Sequence, residues 1–284
     1  MNTTVSTAIS RREAIKTVST ASTVLLLPSA CSEIKKSKLD NSFFEHGVAS
    51  GDPDSSSVVI WTRVSHIDKP VNVNWFIATD KKFKNTIKQG KTTTDGDRDF
   101  TVKIIVSDLE SGKQYFYKFE ANEEQSPIGR TKTLPVGHVE KLVFAVATCS
   151  NYPFGYFNGY DAIANDPTVD LVVHLGDYIY EYSVDGYGGE SGKKINRNHI
   201  PSHEILSLDD YRKRHAQYKS DQGSQALHAQ HPLIVIWDDH ETANNPWMDG
   251  AKNHQENEGD WHARREASLQ AYYEWLPIHD PIKK

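Results

Sequence analysis

Cysteine is nearly absent from this 284-residue sequence. Cys31 and Cys149 are the two present, so no disulfide framework holds the fold and each thiol needs its own account. No apolar run reaches the ~20 residues that cross a bilayer. With 37% hydrophobic and 25% charged residues, the composition excludes a polytopic membrane protein. A surplus of positive charge is missing as well. The 32 Lys and Arg stand against 38 Asp and Glu, a net charge of −6, so bulk charge does not hold a nucleic-acid backbone and no specific nucleic-acid binding is expected. An anionic ligand must therefore meet local arginines or bound metal. Aromatic residues are not scarce: at 10% they exclude wholesale disorder, and the length suits one large domain or two smaller ones.

The amino terminus reads as an export signal over residues 1–31. Arg11 and Arg12 precede an uncharged stretch, Thr17 to Ala30, centred on Val24-Leu25-Leu26-Leu27. A cationic segment, a short apolar run and small residues before a break are the parts of a secretory signal. Paired arginines point to the twin-arginine export machinery, although Ala14 stands where that signal usually has Phe. Ser29-Ala30-Cys31 resembles the end of a bacterial lipoprotein signal, with Pro28 and Leu27 departing from its pattern. Lipidation at Cys31 and plain secretion are both compatible with this segment, and a lipid anchor would be the chain's membrane attachment. The expected location is exported: periplasm, cell surface or extracellular. Residues 32–42, rich in Lys and Ser, read as a tether.

Short alternating runs follow at Ser57–Arg63, Val71–Ala78, Phe100–Val106 and Tyr115–Ala121, separated by turn residues. This spacing predicts a small Ig- or fibronectin-like β-sandwich over residues 43–136. Leu109-x-x-Gly112-x-x-Tyr115 has the form of the tyrosine corner that closes such sandwiches. From residue 137 the pattern changes to continuous apolar runs, Leu142–Ala147, Leu171–Leu175 and Leu233–Trp237. Such runs predict strands covered on both faces, in a mixed α/β sheet flanked by helices at 156–165, 208–229 (N-cap Ser207) and 260–275.

The residues after each of these strands carry the chemistry. The first run leads into Thr148-Cys149-Ser150-Asn151, the second into Gly176-Asp177-Tyr178-Ile179-Tyr180-Glu181, the third into Asp238-Asp239-His240-Glu241-Thr242-Ala243-Asn244-Asn245. In open α/β sheets the ligand sits at the carboxyl ends of the strands, so these tips should converge. Clustered carboxylates repel unless a cation is present, and a multinuclear metal site relieves that cost. Each residue has a plainer alternative: Cys149 as a small buried filler, Asp177 as a helix cap, Tyr180 as core, Asp239 as a turn residue and His240 as structural. None of His174, His199, His203, His215, His228, His231, His254 and His262 forms a convincing metal-ligand spacing.

These stretches resemble the PhoD-type alkaline phosphatase and phosphodiesterase family. The similarity rests on Phe44-x-His46-Gly47-Val48-Ala49-Ser50-Gly51-Asp52-Pro53, Val59-Ile60-Trp61-Thr62-Arg63, Ala147-x-Cys149-Ser150, His174 to Glu181 and Trp237-Asp238-Asp239-His240-Glu241-x-x-Asn244-Asn245. The resemblance implies a β-sandwich followed by a metallophosphatase-like α/β domain at 137–284, and export by the twin-arginine route. It implies iron(III) held by Cys149, Asp177 and Tyr180, with Asp177 bridging to Ca²⁺. Asp239 would take the place of an asparagine ligand, beside His240 as the catalytic residue. The implied activity is hydrolysis of small phosphate mono- or diesters by a metal-activated hydroxide. The family's pattern continues with further metal ligands on later strands, and nothing after Asn245 offers a second Gly-Asp-x-His. The expectation is a metallophosphatase domain incomplete at the carboxyl end. The alternative is a non-catalytic envelope binding protein or an inactive fragment.

Overall fold

Period-two alternation builds the first strands: β1 (Val48–Gly51), β2 (Val58–Arg63), β3 (Val71–Ala78), β4 (Thr86–Thr94), β5 (Thr101–Val106), β6 (Gln114–Ala121), β7 (Glu124–Gln125) and β8 (Gly129–Lys132). The computed structural model describes residues 42–281; Arg11, Arg12 and Cys31 lie outside the described residues. Strands β4, β3, β6 and β7 form one antiparallel sheet, with β8 also paired to β6. Facing it, β5, β2 and β1 pair antiparallel. Val58, Ile60, Val73, Ile77, Tyr117 and Phe119 fill the space between them. The tyrosine corner closes as the sequence suggests: Tyr115 Oη accepts from the Glu110 amide at 2.9 Å.

The second set of strands, β9 (Phe144–Ala147), β10 (Leu171–His174) and β11 (Leu233–Val235), is parallel. It does not stand apart from the first. Strand β1 pairs parallel with β11 through Gly51 and Leu233, so a six-stranded mixed sheet runs β5-β2-β1-β11-β10-β9. Gly51 permits the approach, because a Cβ there would lie 2.6 Å from the Leu233 carbonyl and 2.5 Å from that of Pro277. One sheet of the sandwich is thus the continuation of the α/β sheet.

Helices α1 (Asn158–Ala164), α2 (Gly189–Ile195), α3 (Leu208–Ser220), α4 (Gln222–Gln230) and α5 (Trp261–Trp275) complete the fold. Ser207 caps α3 in a capping box with Asp210, and Asp260 caps α5 by accepting from Ala263 N at 2.8 Å. The segment 208–229 is two helices, not the single one its pattern suggests. The chain is extended at Asp221, whose carboxylate accepts from Gly223 N and Ser224 N and pairs with Arg197 at 2.8 Å. Tyr211 and Tyr218 of α3, Leu227 of α4, and Ala271 and Tyr272 of α5 bury one face of the sheet with Val172 and Leu233. The opposite face corrects the expectation of double coverage. Phe144, Val146, Leu175, Ile234 and Ile236 are exposed, because among the described residues no helix packs on that side.

Candidate active site

Parallel register sets Ala147 beside His174 and His174 beside Val235, so the three strand ends finish level. Gly176 makes the sharp turn after β10. Its φ is +97°, and a Cβ would meet the Asp238 amide nitrogen at 2.4 Å. Asp177 and Cys149 follow in the left-handed region, at φ 53° and 55°, which costs strain in non-glycine residues and aims both side chains out of the sheet end. Cys149 N donates to Gly176 O and Ser150 N to Asp177 O, both at 3.2 Å, and these bonds lock the first two tips together.

The predicted site residues meet here. Asp177, Asp239 and His240 bring one ligand atom each within 4.8 Å of one another. Tyr180 Oη donates to Asp177 Oδ2 at 2.9 Å, and its ring stacks on the His240 imidazole at 4.4 Å. The Cys149 thiol is exposed at the neighbouring strand end, 3.3 Å from Thr148 Oγ1, and its backbone is tied to Gly176. Cys149 is therefore no buried filler, and Asp177 caps no helix.

Two carboxylates that appear in the sequence only as motif members organise this group. Glu181, fully buried, holds His240 Nδ1 at 2.8 Å from Oε2, while its Oε1 accepts from Asn244 N and Asn253 Nδ2, each at 2.8 Å. Glu241 accepts from Tyr178 N at 2.6 Å and Asp238 N at 2.8 Å, stapling the second tip to the third. The signal was their position inside the two motifs; Asn253, from a separate loop, carried none.

Burial pushes the Asp177 carboxyl up, against the pull of His240 and of hydrogen bonds from Tyr180 and Cys149. Burial also pushes Glu241 up, to about 7. For His240 burial opposes charge, yet Glu181, then Asp239 and Asp177, outweigh it and raise its pKa. Among the described residues neither Asp177 nor Asp239 has a lysine or arginine ion-pair partner; His240 Nε2, 3.8 Å from Asp239 Oδ1, is the nearby base. Carboxylate, phenol, thiol and imidazole donors gathered without a balancing basic side chain fit a bound cation.

Comparison with known proteins agrees with this geometry. The PhoD-like phosphatase family matches residues 144–284, and the PhoD-like phosphatase N-terminal domain matches residues 28–135. Alkaline phosphatase D of Bacillus subtilis (strain 168) is 41% identical over 247 residues, covering 83% of this chain and 41% of that protein. The solved structure of PhoD superposes with a TM-score of 0.77 at 40% identity, over 83% of this chain and 46% of its own. The chain thus spans less than half the length of the relatives it matches. A β-sandwich joined to a metallophosphatase-like sheet, strand ends that bring together Cys149, Asp177, Tyr180, Asp239 and His240, and these similarities place the chain in the PhoD-like phosphatase family.

Proposed function

We propose that the chain is an exported, metal-dependent phosphoesterase unit acting on small phosphate mono- or diesters. The observation that carries this reading is the convergence of Asp177, after β10, with Asp239 and His240, after β11, without a lysine or arginine partner among the described residues, in a chain 41% identical to an alkaline phosphatase. Cys149, Asp177 and Tyr180 would hold iron(III), and Asp177 with Asp239 would hold Ca²⁺ beside it. Such cations, when bound, offset phosphoryl charge and acidify water.

The chain's own residues do the rest. Glu181 fixes the His240 ring through Nδ1, so that Nε2 faces the cluster and is the atom that gives a proton to the departing ester oxygen. Tyr180 stacks on that ring and keeps its plane. The left-handed backbone at Asp177 and Cys149 presents both side chains in advance, with little reorganisation left for ligand binding. Residues 1–31 would direct export through Arg11 and Arg12, with Cys31 lipidated or removed with the signal.

Elemental analysis and visible absorption test the metal assignment. Phenolate and thiolate donors to ferric iron give a charge-transfer band, and Tyr180→Phe should bleach most of it. Asp177→Ala should lose metal and all hydrolysis of p-nitrophenyl phosphate. His240→Ala should keep its metal and slow turnover by roughly 10²–10⁴-fold. A colourless, iron-free protein sinks the iron assignment, and one that never hydrolyses a phosphoester favours the alternative of a binding protein or an inactive fragment. Replacing Arg11 and Arg12 with lysine should leave precursor in the cytoplasm; unaffected export would remove the twin-arginine reading.

A further inference from the structure

Exposed apolar side chains carry meaning when they form a contiguous patch, and several aromatic rings are exposed side by side near the cluster. Phe154 is 50% exposed and Tyr187 57% exposed, although their rings meet edge to face at 4.9 Å. From Tyr187 the aromatic surface continues to Tyr182 at 5.8 Å and on to the His240 imidazole at 5.3 Å. The two loops that carry it follow different strands, and Asn151 Nδ2 ties them by donating to Tyr187 O at 3.3 Å. Phe154 and the Cys149 thiol line one cleft of about 300 Å³. Its floor at Gly155 and Gly159 is open, for a Cβ at either would touch nothing. Among the described residues no lysine or arginine lines this cleft, so on its Phe154 side the surface offers ring faces rather than charge.

We propose that Phe154, Tyr187 and Tyr182 form a ring-binding wall that selects phosphoesters whose alcohol portion carries a planar ring. This rests on the phosphoesterase reading above. A ligand whose phosphoryl group reaches Asp177 and His240 lays its remaining part across Phe154 and Tyr187, where stacking replaces water on exposed aromatic surface.

Calorimetric titration of the full chain with phenylphosphonate and with methylphosphonate measures the preference directly. The phenyl compound should bind more tightly. Phe154→Ala and Tyr187→Ala should each reduce the ratio of the two affinities by about two- to tenfold, the range for one aromatic pair. Phe154→Tyr and Tyr187→Phe should preserve it, and because both positions are exposed, all four variants should melt like the parent. Equal affinity for the two compounds, or an unchanged ratio in the double alanine variant, overturns the proposal. Phenol alone, followed by saturation-transfer NMR, separates this claim from the one beneath it. A phenol signal that the double alanine variant abolishes supports the wall even where no phosphonate binds, and it is then the phosphoesterase reading that fails. A phenol signal undiminished by the double substitution overturns the wall.

Discussion

His215 lies parallel to Tyr178 on one side and Trp275 on the other, at 23° and 12°, and among the described residues neither of its ring nitrogens has a partner. Burial, then Lys219 and Arg214, push its pKa down to about 3. Burial likewise holds His174 at about 4 and His199 at about 3, and keeps His46 and His228 well below the usual range. These side chains are neutral when folded, while the unfolded chain takes up protons near pH 6.5. Their contribution is therefore complete above about pH 6.5 and drains away as pH falls toward 4 and 3. Each costs about 1 kcal/mol per pH unit in that window. The urea midpoint of metal-free protein should drop steeply between pH 6.5 and 4.5; a flat profile would refute the sign. His215→Phe should raise stability by about 1 kcal/mol, by removing buried groups without partners, and should flatten the pH profile. The sequence marks His240 out through its motif, whereas His215 shows only a helical i, i+4 spacing with Tyr211. Nothing local says that its nitrogens would be stranded between two rings.

At the scale of elements, the break between α3 and α4 turns on Asp221, which caps α4 and pairs with the buried Arg197. Asp221→Ala removes both at once. It should cost about 3–5 kcal/mol, dominated by leaving a buried guanidinium without its anion, and calorimetric melting would read the loss. A loss under about 1 kcal/mol would show that the ring faces of Tyr152 and Tyr156 hold Arg197 unaided. The continuous helical pattern over 208–229 hides this break, because its cause is an arginine from another loop. Strand β4 was hidden for a different reason. Its sequence, TIKQGKTTT, is almost wholly polar, and as an edge strand paired to β3 it needs little apolar patterning to be held. The three strand ends of the site were legible, since apolar runs that stop at Gly, Asp or Cys show both where a strand ends and what it presents there.

For the whole molecule, the uncovered sheet face dominates. Phe144, Val146, Leu175, Ile234 and Ile236 form an apolar surface with β9 at its edge. The chain should self-associate as its concentration rises, and Val146→Lys with Ile236→Lys should reverse this, with sedimentation velocity as the measurement. Val146 is 62% and Ile236 59% exposed, so the lysines cost little folding energy. A parent chain that stays monomeric at high concentration would count against this expectation. The change of period near residue 137 is visible in the sequence, but the sheet shared across it is not. A single parallel pairing between Gly51 and Leu233 leaves no trace in local pattern. That pairing has a consequence for synthesis. The ribosome delivers Gly51 long before Leu233, and at about 5–20 residues per second the interval is on the order of ten to forty seconds. Throughout that time β1 has β2 on one side and an open row of backbone donors and acceptors on the other. A nascent chain in this state exposes that row to strand capture by neighbours on the same message, so slower translation between residues 51 and 233 should lower the yield of folded protein.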